Sequence, residues 1–391
     1  MTIKYSALGA DKQLNEIVIA GSHDAGITGG GKNERTQGKN ILEQARAGIR
    51  FFDMRVAGHV VSGAHGNEVR LETFHADPKV QKSSKSTQRI ADLPIPAQKV
   101  KTMSLPVGGT WGEGLREMLA QAKAFVMSEA GTGEFLIFKF DKSSNWDLIA
   151  EVCVLELGDR IYTGRGNLNT KQQQDLAGKV VVLFPTAGIS AIAKLDSRVK
   201  DKILGWQNLS AEGASYEPRY HGLQYFGKGG TNPFAGGSSE SKVSQNEKKQ
   251  GGLMAKATQE STYYEGRFGK LRGRLRVDPP VPPDTIGMMY WTTTGLFESI
   301  RERDTAMWEP PNIVRLKKMW AQGMEEYYMG VQHHDMVNVP LSDRAKNMAQ
   351  GAERKKFIPN IVMVDFSDAK KCQTIYDLNH MSAWDLATLG S

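Results

Sequence analysis

The sequence predicts an α/β fold of the TIM-type (β/α)8 barrel, regular or irregular, in a single domain with insertions. Three observations lead there. Short apolar runs that read as buried strands alternate with stretches of helical periodicity over most of the chain. Those runs turn polar or charged at their C-terminal tips, as barrel strands do when they build a site on one rim. The length, 391 residues, suits one barrel carrying insertions.

The first strand, residues 15–21, runs into Ser22, His23, Asp24, Ala25 and Gly26. The second, residues 47–55, ends with Asp53 and Arg55 two apart, which places both on one face. A third, residues 69–74, delivers His75 and Asp77, while the polar, Lys-, Ser- and Pro-rich residues 77–110 read as a long loop at the same rim. A helix over 112–129 presents Leu115, Leu119, Ala122 and Val126 to one side and leads to a fourth strand at 134–140. A helix over 146–157 and strands at 179–184 and 205–209 continue the alternation.

Residues 211–285 break the rhythm. They are Gly/Ser-rich from Gly227 to Ser241 and basic from Arg267 to Arg276, an insertion that reads as solvated surface or as a contact for anionic lipid. A seventh strand at 286–294 follows. A helix at 312–329 then carries Ile313, Leu316, Trp320 and Tyr327 on one stripe, and an eighth strand at 360–366 holds Asp365 ahead of a closing helix at 369–379.

Charge narrows the function only a little. A net charge of +7 is compatible with nucleic acid or with an anionic membrane, but the charges are spread along the chain. Charge by itself therefore does not choose between the two. No apolar run reaches the roughly eighteen residues of a membrane span, and the first residues lack the apolar core of an export signal. The expectation is therefore a peripheral protein made in the cytoplasm, with delivery to a membrane by a route other than general export left open. Cys153 and Cys372 stand in apolar settings and read as buried thiols. His333, His334 and Asp335 read as a polar loop, with no metal site.

At this point a family can be named. Gly21 to Gly26, followed by Gln44 to Arg55 and by a histidine closing the next strand, resembles the catalytic X-region of phosphatidylinositol-specific phospholipases C, in its metal-independent bacterial branch. The likeness is firmest over residues 14–140, extends to 178–210 and 286–295, returns at 359–366 and leaves out 211–285. It implies a phosphodiesterase without cofactor, whose partner is a phospholipid surface and not nucleic acid, cleaving phosphatidylinositol or a glycosylinositol lipid to diacylglycerol and a cyclic inositol phosphate. His23 would be the general base, oriented by Asp365, and His75 the general acid, supported by Asp24. Arg55 would stabilise the phosphorane-like transition state in place of calcium, and Asp53 would hold Arg55 or the second histidine.

These residue types suit that chemistry on their own terms. Histidine exchanges protons near neutral pH, and a guanidinium stays charged and grips phosphate oxygens with two donors. His65, in an Ala-His-Gly turn, competes with His75 for the acid role. For the head group the resemblance implies Lys139 and Gln207, with Tyr290 beside them. It weakens at Phe184-Pro185, where those enzymes carry an arginine, so another phosphodiester stays open. Two rivals remain: a binding module that has lost turnover, and a metal-dependent glycerophosphodiester-type barrel, for which no Glu-rich cluster follows His23.

Overall fold

The computed structural model describes residues 3–63, 66–76, 82–91, 96–106, 108–227, 229, 238–258, 262–265, 272–275, 284–292, 299–328 and 359–380. Numbering strands in chain order, β1 (Ile19–Ser22) and β2 (Ile49–Met54) are entirely buried, as expected of strands covered on both faces. The chain then leaves the barrel through β3 (Val56–Gly63), β4 (Gly66–His75), β5 (Lys82–Gln88), β6 (Gln98–Ser104) and β7 (Thr110–Gly114). It returns with β8 (Leu136–Phe140), β9 (Val180–Pro185), β10 (Leu204–Asn208) and β11 (Gly222–Phe226). After a short antiparallel pair, β12 (Thr262–Glu265) and β13 (Arg272–Leu275), come β14 (Ile286–Tyr290) and β15 (Pro359–Val364).

Eight of these strands close a barrel in the order β1-β15-β14-β11-β10-β9-β8-β2. Every neighbouring pair is parallel. The expected fold class and strand number therefore hold, but one member differs. Residues 69–74 belong to β4, which pairs antiparallel with β3 inside a separate five-stranded sheet, β5-β6-β3-β4-β7. Residues expected to form a loop supply β5 and β6 of that sheet, and β7 takes the end of that loop together with residues 112–114, which were expected to begin the helix. The barrel's missing strand is β11, inside the stretch expected to be an insertion.

Glycine makes two of the closest strand approaches. A side chain on Gly21 would meet the Met363 sulfur at 2.3 Å, and one on Gly222 would stand 1.8 Å from the Gly205 carbonyl oxygen at a φ of +145°. The helices follow the sequence more closely. Leu115–Val126 buries Leu115, Met118, Leu119, Ala122, Phe125 and Val126 along one stripe. Trp146–Leu157 has the bounds read from its periodicity, and Ala369–Asp377 packs under β1 as the closing helix. Leu316 is buried as its stripe requires, whereas the side chains of Trp320 and Tyr327 lie outside the described residues. Both cysteines are free and buried.

Candidate active site

The C-terminal tips of the barrel strands form one rim, and five of the residues read from the sequence converge there. His23 and Asp24 follow β1, Arg55 follows β2, and Asp365 follows β15, the neighbour of β1. His75 arrives differently. The β3–β4 hairpin leaves the barrel after Arg55 and folds back, so that the Phe74 amide donates to the Arg55 carbonyl at 3.1 Å and returns His75 to the rim. His65, Asp77, His333, His334 and Asp335 lie outside the described residues.

Carboxylates organise the group. Asp365 Oδ1 lies 3.0 Å from His23 Nδ1, and with the carboxylate accepting, the ring is held with Nε2 turned to the site. Asp24 takes both prongs of Arg55: Nε donates to Oδ1 at 2.9 Å and Nη2 donates to Oδ2. The same Oδ2 stands 3.6 Å from His23 Nε2 and 3.8 Å from His75 Nε2. One carboxylate thus faces an arginine and two histidines.

The charges shift one another accordingly. Burial disfavours the charged form of His23, but the carboxylates of Asp24, Asp365 and Asp53 outweigh it and raise its pKa to about 9. His75 goes the other way, lowered by burial and by Arg55 and His23 against the pull of Asp24. For Asp24, burial opposes ionisation, yet Arg55 and the histidines hold it well below the usual carboxylate range.

Asp53, expected to hold Arg55 or the second histidine, still acts on Arg55 through its negative charge but has its hydrogen bonds elsewhere: the parallel register sets it beside Lys139 of β8, whose ammonium donates to Oδ1 at 3.0 Å. Tyr290 donates to its Oδ2 at 3.1 Å and stands edge-on to the His23 ring, with centroids 5.7 Å apart. Lys139 is 1% exposed and lies 4.4 Å from the Trp206 ring centroid, so it neutralises Asp53 from beneath. Gln207 belongs to a neighbouring group, donating to Gln224 Oε1 at 2.8 Å and to the Ser215 carbonyl at 2.9 Å.

Sequence reasoning missed Trp206 and Tyr225 around Lys139, and it missed a brace. Thr36 and Gln37 are buried between the turn that carries His23 and Asp24 and the turn that carries Asp365. Thr36 Oγ1 donates to the Asp24 carbonyl at 2.9 Å, and its own carbonyl accepts the Phe366 amide at 2.7 Å. Gln37 Nε2 donates to the His23 carbonyl at 2.9 Å, while its Oε1 accepts the Ser367 amide at 3.0 Å. The brace spans two strained positions, since Asp24 and Phe366 have φ of 43° and 41°. A Thr-Gln pair carries no sequence signal of such a role.

Solved structures similar to this chain include bacterial phosphatidylinositol-specific phospholipases C. The Listeria monocytogenes protein is 14% identical with a TM-score of 0.44, covering 96% of this chain and 97% of that one. A pentafluoro-Phe-incorporated Staphylococcus aureus protein is 16% identical with a TM-score of 0.46 and 96% coverage of both chains. A calcium-dependent Pseudomonas sp. protein is 11% identical with a TM-score of 0.31, over 53% of this chain and 70% of that one. No family model and no curated protein matches the sequence.

Proposed function

We propose that this protein is a phosphodiesterase of the phosphatidylinositol phospholipase C type, cleaving a phosphodiester beside a free hydroxyl without a metal cofactor. The observation that carries this reading is the Asp24 carboxylate, which holds Arg55 while standing 3.6 Å from one histidine and 3.8 Å from the other. That geometry gathers a fixed cation and two proton carriers around one carboxylate.

In this reading neutral His23 takes the proton of the hydroxyl next to the phosphodiester. The resulting oxygen attacks phosphorus and the bond to the lipid oxygen breaks, with His75 supplying the proton that oxygen needs. The products are a cyclic phosphodiester and a free alcohol. Arg55 offsets the negative charge that builds on the phosphoryl oxygens. Near pH 7 the raised pKa leaves His23 mostly protonated and the lowered pKa leaves His75 mostly neutral, so the productive form, with His23 neutral and His75 protonated, is a minor one bounded by the two pKa values on either side. Asp53, Tyr290 and Lys139 border the site where a head group would lie, with Gln207 further round the rim.

Phosphorus NMR of the first products from vesicles tests the reading. Phosphatidylinositol should give a cyclic phosphodiester, and phosphatidylcholine, which lacks the adjacent hydroxyl, should be left intact. A linear monophosphate as the only early product would rule out the mechanism, and intact lipid in every case would favour a binding module.

A further inference from the structure

The five-stranded sheet beside the barrel carries charges that the catalytic reading does not use. Along β6, Val100 and Thr102 are buried while Lys99 and Lys101 are exposed, so the two lysines share the outer face. The antiparallel register places Lys85 of β5 directly opposite Lys101, and Lys85 is exposed as well. Like charges in that position repel.

Edge protection accounts for only one of the three. A lysine on β5, the edge strand, guards against unwanted pairing, but β6 is paired on both sides, with β5 and with β3. Neutralisation does not account for them either. Among the described residues the sheet's carboxylates are engaged elsewhere, Glu72 by His59 at 2.7 Å and Arg70 at 3.6 Å, Glu68 by Arg89 at 3.5 Å, and Glu113 by the Gln121 amide at 3.3 Å.

The same face adjoins the catalytic rim. The bridge from Gly58 to Thr102 sets Lys101 level with Ala57, two residues and about 7 Å along the strand from Arg55. Half-buried Met103, Leu105 and Trp111 cover a small apolar cluster of Ala57, Phe74 and Ala76 there. Cations rimming apolar and aromatic side chains suit the boundary between lipid head groups and chains.

We propose that this face is the protein's docking surface for anionic phospholipid bilayers, with Lys85, Lys99 and Lys101 supplying the electrostatic contact. The choice of a bilayer rests on the reading of the substrate as a membrane lipid. Sedimentation with phosphatidylcholine vesicles, with and without phosphatidylglycerol, tests it without any turnover. The parent should favour the anionic vesicles. The triple variant Lys85→Gln, Lys99→Gln, Lys101→Gln should lose about a hundredfold of that partitioning, since each lysine at such a surface contributes roughly fivefold.

Unchanged melting temperature would show that the variant folds. Parent-like partitioning of a folded variant would overturn the proposal and move the contact elsewhere, for instance to the basic residues 267–276. Binding to duplex DNA that outcompetes the vesicles through the same lysines would overturn the choice of lipid. Lysine-dependent partitioning by a protein that cleaves no phosphodiester would uphold the surface while the functional reading fails.

Discussion

Strand β2 carries an arginine just inside its start and another just past its end, and the two look alike in the sequence. Arg50, at the N-terminal end of the barrel, is fully buried, with Nε donating to Glu134 at 2.7 Å and its other nitrogens to the carbonyls of Ile3, Ala45 and Ile49. Glu134 in turn accepts the amides of Tyr5 and Ser6 at 3.2 and 2.9 Å, which closes the barrel floor. Arg55, at the opposite end, is 15% exposed, and its carboxylate faces two histidines. Breaking an ion pair closed on all sides leaves a buried charge without its partner, whereas the pair left open at the rim is the one the proposed reading uses for chemistry.

The largest effects should come from the open end. His23→Ala and His75→Ala should each lower kcat by about 100-fold to 10,000-fold with the fold intact, measured on phosphatidylinositol vesicles. Arg55→Lys should lose about 100-fold to 1,000-fold, because an ammonium cannot reproduce the two-pronged grip. In the proposed reading Arg55 supplies the positive charge, so the parent should keep full activity in excess chelator. Activity that vanishes with chelator and returns with calcium would erase the contrast between the two arginines.

At the closed end the effect should be on stability. Glu134→Gln removes one partner of a buried pair and should cost about 3–5 kcal/mol in denaturant unfolding while leaving kcat/KM of the folded fraction near the parent's. A stable but inactive Glu134→Gln protein would mean that the barrel floor is coupled to the rim.

How legible each end was follows from the same physics. His23, Asp24, Asp53, Arg55 and Asp365 stand at the tips of apolar runs, and such tips can be read from a sequence. The strand at 69–74 was misplaced although the signal was present: Val69, Leu71 and Thr73 alternate with Arg70, Glu72 and Phe74, and β4 is correspondingly only part-buried near its start, whereas β2 is buried throughout. Alternation marks an antiparallel sheet with one exposed face. Strand β11 was missed because its five residues stand alone in a Gly/Ser-rich setting, and with it went Tyr225, whose ring lies 5.8 Å from the Lys139 ammonium. The Asp53–Lys139 pair depends on the register of strands far apart in sequence, which no local pattern reveals.

The smallest effect concerns pH. Folding raises the His23 pKa from 6.5 to about 9, so its contribution to stability is complete below pH 6.5 and is lost as pH rises through about 9. The melting temperature of the parent should therefore fall relative to that of His23→Gln across this window. Parallel curves would show that the carboxylates around His23 do not hold its proton. Asp365→Asn should move the alkaline limb of kcat/KM to lower pH by removing one of those carboxylates.

The division of labour between the two histidines is most directly tested by changing the leaving group. An inositol phosphodiester with a thiolate leaving group needs no proton from the enzyme, whereas its oxygen counterpart does. The thiolate substrate should restore most of the rate to His75→Ala and little to His23→Ala. Restoration of His23→Ala instead would exchange the roles of base and acid, and restoration of neither would contradict a two-histidine mechanism at this rim.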